Sequence, residues 1–210
     1  AFFKKILHLS YKRIRKNPSK KPDALLYESK KEELDSLISS ATDGTIKLYY
    51  FDESGFNLNP HIPYAWNEID QTLSIAAKRS QNLNVLGFLD TKNSDLFSYT
   101  IVGKVDSDVV IGVFDKFVET LTKDTVVVLD NAAIHTSKKF MAKIDEWKSK
   151  GLILFFLPPY SPQLNPIEIL WKFMKYHWID FDAYLSFENL KNYVDTVLAN
   201  YGTTFEINFT

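Results

Sequence analysis

Three carboxylates lie far apart in the chain, Asp52, Asp130 and Glu168, each at a point where folding would expose an acidic group at a sheet edge. Asp52 follows the aromatic and apolar run Ile46–Phe51, and Asp130 follows Val126–Leu129, so each reads as the end of a buried strand. Glu168 falls in the first turn of a helix that begins after the proline-rich segment LPPYSPQLNP. Acids at the ends of neighbouring strands repel one another, and Mg²⁺ or Mn²⁺ between them relieves the repulsion. Two such ions, about 3.5–4 Å apart, activate an attacking water or 3′-hydroxyl and stabilise the leaving oxygen of an in-line phosphoryl displacement. The chemistry expected is phosphodiester hydrolysis and transesterification, with Asp52, Asp130 and Glu168 as the metal-binding, catalytic groups.

Each acid also has an ordinary structural explanation. Asn165-Pro166-Ile167-Glu168 has the form of a capping box, in which the glutamate bonds back to the N-cap amide, and spacing alone does not separate this from a metal role. Asp52 fits a strand end beside a turn, with Glu53 an equal candidate as ligand. Asp130 is hardest to explain this way. It follows four apolar strand residues and precedes Asn131-Ala132-Ala133, close to the core, where a charge needs a partner.

The elements that must position these groups can be read from periodicity. Residues 23–40 give a polar helix with Leu26, Leu34, Leu37 and Ile38 on its apolar side, closed by Thr42-Asp43-Gly44. A strand from Thr45 to Asp52 is followed by a polar, proline-containing excursion through Trp66. Two strands, Leu83–Leu89 and Leu96–Val102, are then joined by the hairpin residues Thr91-Lys92-Asn93-Ser94. Val110, Val113, Phe114, Phe117, Val118 and Leu121 follow helical spacing behind Asp106-Ser107-Asp108. After the strand Val126–Leu129, Thr136 or Ser137 caps one helix carrying Phe140, Ile144 and Trp147, which Gly151 ends. The strand Leu152–Phe156 runs into Pro158, Pro159, Pro162 and Pro166, which forbid regular pairing and give a stiff extended loop. The next helix has Asn165 as N-cap, Pro166 at N1 and Glu168 at N3, and buries Ile167, Leu170, Trp171, Met174 and Trp178; a last helix covers Phe187–Ala199. This order implies an α/β fold, an antiparallel hairpin joined to parallel crossover units in one mixed sheet flanked by helices.

Composition bounds the alternatives. The 210 residues include 45% hydrophobic and 15% aromatic side chains, enough for a packed core. There is no Cys, which excludes disulfides and thiolate zinc sites and leaves oxygen ligands or His for any metal. The longest apolar runs fall far short of the roughly 20 residues of a membrane span, so no membrane association is expected, and neither is a small-molecule organic cofactor. The N-terminal sequence AFFKKILHLSYKRIRK is broken by charge too early for a secretory signal, so the expected address is the cytoplasm and nucleoid, or the nucleus of a eukaryote.

The net charge of −1 conceals an asymmetry. Residues 1–22 hold eight basic side chains and no acid, which leaves 17 basic against 26 acidic side chains in residues 23–210. A short basic helix carrying Lys12, Arg13, Arg15, Lys16, Lys20 and Lys21 reads as a DNA phosphate-contacting segment, with a solvated tail as the alternative. The division expected is a basic helical segment over 1–44 and a catalytic domain over 45–210.

Three motifs together carry a family resemblance: FDESGF (Phe51–Phe56), VVVLDNAAIHTS (Val126–Ser137) and LPPYSPQLNPIEILWKFMK (Leu157–Lys175). In this order they closely resemble the DDE transposases of the IS630/Tc1/mariner superfamily, over about Tyr49 to Trp178. A bare pattern of three acids means little in a chain with 26, whereas a PPYSPxLNPIE block after a DNAxxH block is hard to obtain by chance. The resemblance implies a ribonuclease H-like fold and Mg²⁺- or Mn²⁺-dependent excision and insertion of an element, commonly at TA-containing targets. It also implies a homodimer on DNA. Asp52, Asp130 and Glu168 match the family's three acids, with 37 residues between the last two. His135 matches the family's histidine, either helping catalysis or bonding nearby backbone at a helix entry. Asn131 is expected to orient the site without being a ligand. Family members usually carry paired helix-turn-helix modules before this domain, and only LHLSYKRIRKNPSKKPD resembles the tail of one. Two rivals remain at this level: a catalytically silent DNA-binding remnant, and a ribonuclease H-type nuclease.

Overall fold

A computed structural model describes residues 23–59 and 81–209. The basic helix expected within residues 1–22 and the loop around Trp66 lie outside the described residues.

Helix α1 (Ala24–Thr42) starts where the Asp23 carboxylate accepts from the amides of Leu25 and Leu26, and it ends at Asp43 and Gly44, the latter at φ +83°. Strand β1 (Lys47–Phe56) then enters the sheet, followed by the hairpin of β2 (Leu83–Asp90) and β3 (Asp95–Val102). Helix α2 (Ser107–Glu119) is capped by the Asp106 side chain and leads to β4 (Thr125–Leu129). Two short helices, α3 (Lys138–Met141) and α4 (Ile144–Ser149), precede β5 (Leu152–Phe156). After a 3₁₀ turn at Pro162–Leu164 come α5 (Ile167–Phe173), a π-helical turn (Met174–Trp178), a second 3₁₀ turn (Phe181–Leu185) and α6 (Phe187–Ala199). Among the described residues no helix is long and apolar enough to cross a membrane.

The five strands form one sheet in the order β3-β2-β1-β4-β5. β1, β2 and β3 pair antiparallel, while β1 with β4 and β4 with β5 pair parallel. This is the mixed sheet expected from the element order. Because successive strand residues point to opposite faces, the unbroken apolar run of β1 supplies two cores at once. Leu48 and Tyr50 pack with α1 Leu34, α5 Ile167 and Leu170, and α6 Leu190 and Val194. Tyr49 and Phe51 pack on the other face with α2 Val113, Phe114 and Phe117, and with Phe140 and Trp147.

Three local expectations are corrected. β1 does not end at Asp52. Its ladder with β2 continues through Glu53↔Leu86 and Ser54↔Val85 to Phe56↔Leu83, whereas its ladder with β4 ends at Tyr50↔Val128. Asp52 therefore sits in mid-strand on its β2 side and beyond the last pairing on its β4 side. The single helix expected after Ser137 is two: the Lys143 amide bonds the Phe140 carbonyl at 3.0 Å, an i→i+3 turn that separates α3 from α4. Asn165 does not cap α5. Its Nδ2 donates instead to the Phe51 carbonyl of β1 at 3.1 Å, and the first helical turn closes through backbone, with the Glu168 amide on the Asn165 carbonyl at 3.1 Å.

Candidate active site

The alternation along β1 sends its two adjacent acids to opposite faces. Asp52 shares the face of Leu48 and Tyr50, where Trp171 of α5 donates its indole N–H to Asp52 Oδ2 at 3.0 Å. The indole reaches that carboxylate because the residue paired with Asp52 across the ladder is Gly87. A Cβ at Gly87 would stand 2.9 Å from Trp171 Cη2, so the missing side chain is what seats the ring.

Glu53 points to the other face and meets His135, whose side chain is fully buried. His135 Nε2 lies 3.0 Å from Glu53 Oε1 and Nδ1 lies 2.8 Å from Asp130 Oδ1. Burial works against a charged imidazole here, but the bonds to Asp130 and Glu53 outweigh it and push the His135 pKa up to about 10. The ring is thus an imidazolium between two carboxylates, packed against Phe51 and Phe140. Asp130, just past β4, feels burial that would raise its pKa, yet the bonds from His135 and from the Ala132 amide lower it. Asn131 does not reach this acid; its Nδ2 donates to the Leu157 carbonyl and ties the end of β4 to the end of β5.

Glu168 makes no capping-box bond and is exposed in the first turn of α5. It lines, with Asp52 and Asp130, a single cleft of about 380 Å³ whose wall is the loop Leu157–Pro162 together with Asn131 and Asn165. Within it, burial and the neighbouring charges of Glu168, Glu53 and Asp130 raise the Asp52 pKa well above the carboxylate range. Burial and Asp130 raise Glu168 as well. Lys175, one of the residues the sequence did not single out, sits half-buried beyond them with its Nζ 5.3 Å from the Phe56 ring centroid. Burial lowers its pKa against the opposing pull of Asp52 and Glu168.

Among the described residues no three His, Asp or Glu side chains form a ready-made metal cage. The three acids line a common space instead of converging on one point. Their chemistry nonetheless fits a hard divalent ion. The donors are carboxylate oxygens, the repulsion from neighbouring acids that adds to burial in raising Asp52 and Glu168 is what a cation would cancel, and both nitrogens of His135 are already engaged. Asn165 adds a buried Oδ1 with no hydrogen-bond partner on the wall of the same cleft.

Of the residues singled out from sequence, the structure brings Asp52, Asp130 and Glu168 to one cleft and places His135 behind Asp130; Lys12, Arg13, Arg15, Lys16, Lys20 and Lys21 lie outside the described residues. Gly87 and the β1-facing role of Asn165 were missed. An isolated glycine within the strand run LNVLGFLD was the available signal for the first, since such a residue marks close approach of another group. Nothing local signals the second.

The fold is shared with solved transposase structures. The Mos1 mariner paired end complex with Mn matches at a TM-score of 0.60 and 16% identity, covering 90% of this chain and 60% of that one. The catalytic domain of Mos1 mariner transposase matches at 0.53 and 14%, covering 86% and 84%. At such identities the likeness is one of fold, a ribonuclease H-like mixed sheet flanked by helices. In sequence, an uncharacterized protein y4pE/y4sA of Sinorhizobium fredii is 34% identical over 65 residues, 31% of this chain and 44% of that protein. The chain therefore spans less than half of that relative and about 60% of the Mos1 chain in the paired end complex. A family model for the DDE superfamily endonucleases matches residues 47–191, a stretch that contains all three acids and well over half of the sequence, and the chain belongs to that family.

Proposed function

We propose that this chain is the catalytic domain of a transposase of the IS630/Tc1/mariner type, which cuts element-end DNA and joins it to target DNA containing TA. The observation that carries the reading is the cleft itself: Asp52, Asp130 and Glu168, from three separate elements, line one space, where burial and the neighbouring acids raise the proton affinity of Asp52 and Glu168. Carboxylates gathered in one cleft are a handicap to a module that only binds phosphate, and an asset to one that holds cations. Asp52, Asp130 and Glu168 would hold Mg²⁺ or Mn²⁺, two ions in all, and metal dependence is supported by the Mn and Mg of the Mos1 paired end complexes. When bound, the ions supply Lewis-acid activation of the attacking oxygen and stabilisation of the leaving one.

The protein's own share is orientation. Trp171 fixes Asp52 through one indole bond, His135 fixes Asp130 through Nδ1, and Asn165 anchors the start of α5 to β1 so that Glu168 faces the cleft. The residues 12–21 side chains Lys12, Arg13, Arg15, Lys16, Lys20 and Lys21 would contact DNA phosphates, and two copies of the chain would act on paired ends. The test is nicking and strand transfer on element-end DNA with Mg²⁺ or Mn²⁺. Asp52→Asn, Asp130→Asn and Glu168→Gln should each lower the rate by at least about 100-fold, more than loss of a supporting residue does, while DNA binding persists. Cleavage that survives chelation, or that survives Asp130→Asn, overturns the assignment.

A further inference from the structure

Tyr160 stands on the wall of the cleft in a backbone conformation that its own side chain disfavours. Its φ is +60°, in the left-handed region where Cβ crowds the neighbouring carbonyl. Among the described non-glycine residues only Ser94 shares a positive φ, and Ser94 belongs to the β2–β3 hairpin turn, which calls for such geometry. Packing does not offset the strain at Tyr160. The residue is 50% exposed, and among the described residues its side chain makes no hydrogen bond, ion pair or ring contact.

The surrounding loop holds it in place. Pro159 precedes it, Pro162 follows two residues later, and Ser161 and Asn165 are buried, with Asn165 bonded to the Phe51 carbonyl. Asn165 is three residues from Glu168, so the exposed ring is indexed rigidly to the acids whose cleft it lines. Glycine would adopt this φ without strain. A tyrosine held here is a flat, displayed aromatic surface beside a site that handles phosphodiesters, and such strain at a binding cleft points to a role in contact with the ligand.

We infer that Tyr160 is the stacking platform for a nucleobase adjoining the phosphate that Asp52, Asp130 and Glu168 handle, an inference that rests on the DNA-cleaving reading. Every base offers a π face, so the contact would set the position of the strand without reading its sequence. The experiment compares the full chain with Tyr160→Phe and Tyr160→Gly in three measurements: thermal unfolding, quenching of a single-stranded oligonucleotide bearing 2-aminopurine with Mg²⁺ present, and KM and kcat for Mn²⁺-dependent nicking. Tyr160→Phe should match the wild type throughout. Tyr160→Gly should melt at or above the wild type, by up to about 4 °C, because strain is relieved. It should also lose the quenching and weaken DNA affinity or KM by about 10- to 100-fold. If Tyr160→Gly melts lower, or quenches and nicks like the wild type, the residue is structural and the inference fails. Quenching that depends on the ring in a wild type that never nicks upholds the platform and overturns the catalytic reading, so the two failures are told apart.

Discussion

His135 ties Glu53 of β1 and Asp130 just past β4 into one unit, and its replacement separates charge from shape. Nδ1 and Nε2 both serve carboxylates, Asp130 and Glu53, at 2.8 and 3.0 Å, and the ring is shut away from solvent. Removing one member of a buried charge cluster leaves the others unpaired, which typically costs about 3–5 kcal/mol. His135→Gln should therefore destabilise the domain by about 3 kcal/mol in urea unfolding, the low end of that range because Asp130 is half exposed. It should also weaken Mn²⁺ binding, followed by calorimetry, by about 10- to 100-fold, since Asp130 loses the partner that fixes its orientation. Glu53→Gln tests the relay one step further out: it leaves a hydrogen-bond acceptor for Nε2 and should move Mn²⁺ affinity less than His135→Gln does. Equal Mn²⁺ affinity in all three proteins would reduce the Glu53–His135–Asp130 chain to packing.

At the scale of elements, the fit of α5 onto the sheet depends on one absent side chain. Gly87→Ala would place a methyl 2.9 Å from Trp171 Cη2 and 3.2 Å from Ile167 Cδ1, both buried, so neither can swing away freely. Overpacking of this kind costs about 1–3 kcal/mol. The displaced indole would also release Asp52, so activity should fall further than stability alone explains, measured as nicking at a temperature where the variant remains fully folded. A variant with lower stability but unchanged turnover would show that the Trp171 bond does not position Asp52. The strands and the long helices were legible in the sequence because burial writes itself locally: continuous apolar runs for β1 and β4, and helical spacing for α2 and α6. Asp52 and Asp130 were legible for the same reason, as charges ending such runs, and Glu168 from its place in the first helical turn after the proline-rich loop. What misled was tertiary. Asp52 and Glu53 look like a strand end, yet β1 carries them in mid-ladder because Trp171 and His135 receive them on opposite faces. Asn165 looks like an N-cap, yet its amide is taken by the Phe51 carbonyl, a contact 114 residues away in sequence. Gly87 marks locally that some group approaches closely, but that the group is Trp171 beside Asp52 follows only from register, which no single segment contains.

For the whole molecule, the distribution of charge sets how DNA can approach. Residues 23–210 hold 26 acidic and 17 basic side chains, and the cleft itself presents three acids, so a phosphate backbone meets repulsion there until cations are bound. Attraction must come from elsewhere, and residues 1–22 carry eight basic side chains without an acid. Each phosphate neutralised on duplex DNA contributes a slope of about −0.9 to the logarithm of affinity against the logarithm of salt concentration. If Lys12, Arg13, Arg15, Lys16, Lys20 and Lys21 all contact phosphates, replacing the six with Gln should flatten that slope by about 5 and weaken binding most at low salt. The converse experiment keeps the basic segment and varies the ions. Mg²⁺ should strengthen binding of the wild type beyond what its ionic strength predicts, and should lose that effect in Asp130→Asn, because only the intact cleft turns from repulsive to attractive when it holds cations. A salt slope untouched by the six substitutions would make residues 1–22 a solvated tail, and the DNA-contacting surface would then have to be sought on the folded domain, with Lys175 beside the acids as the first residue to substitute.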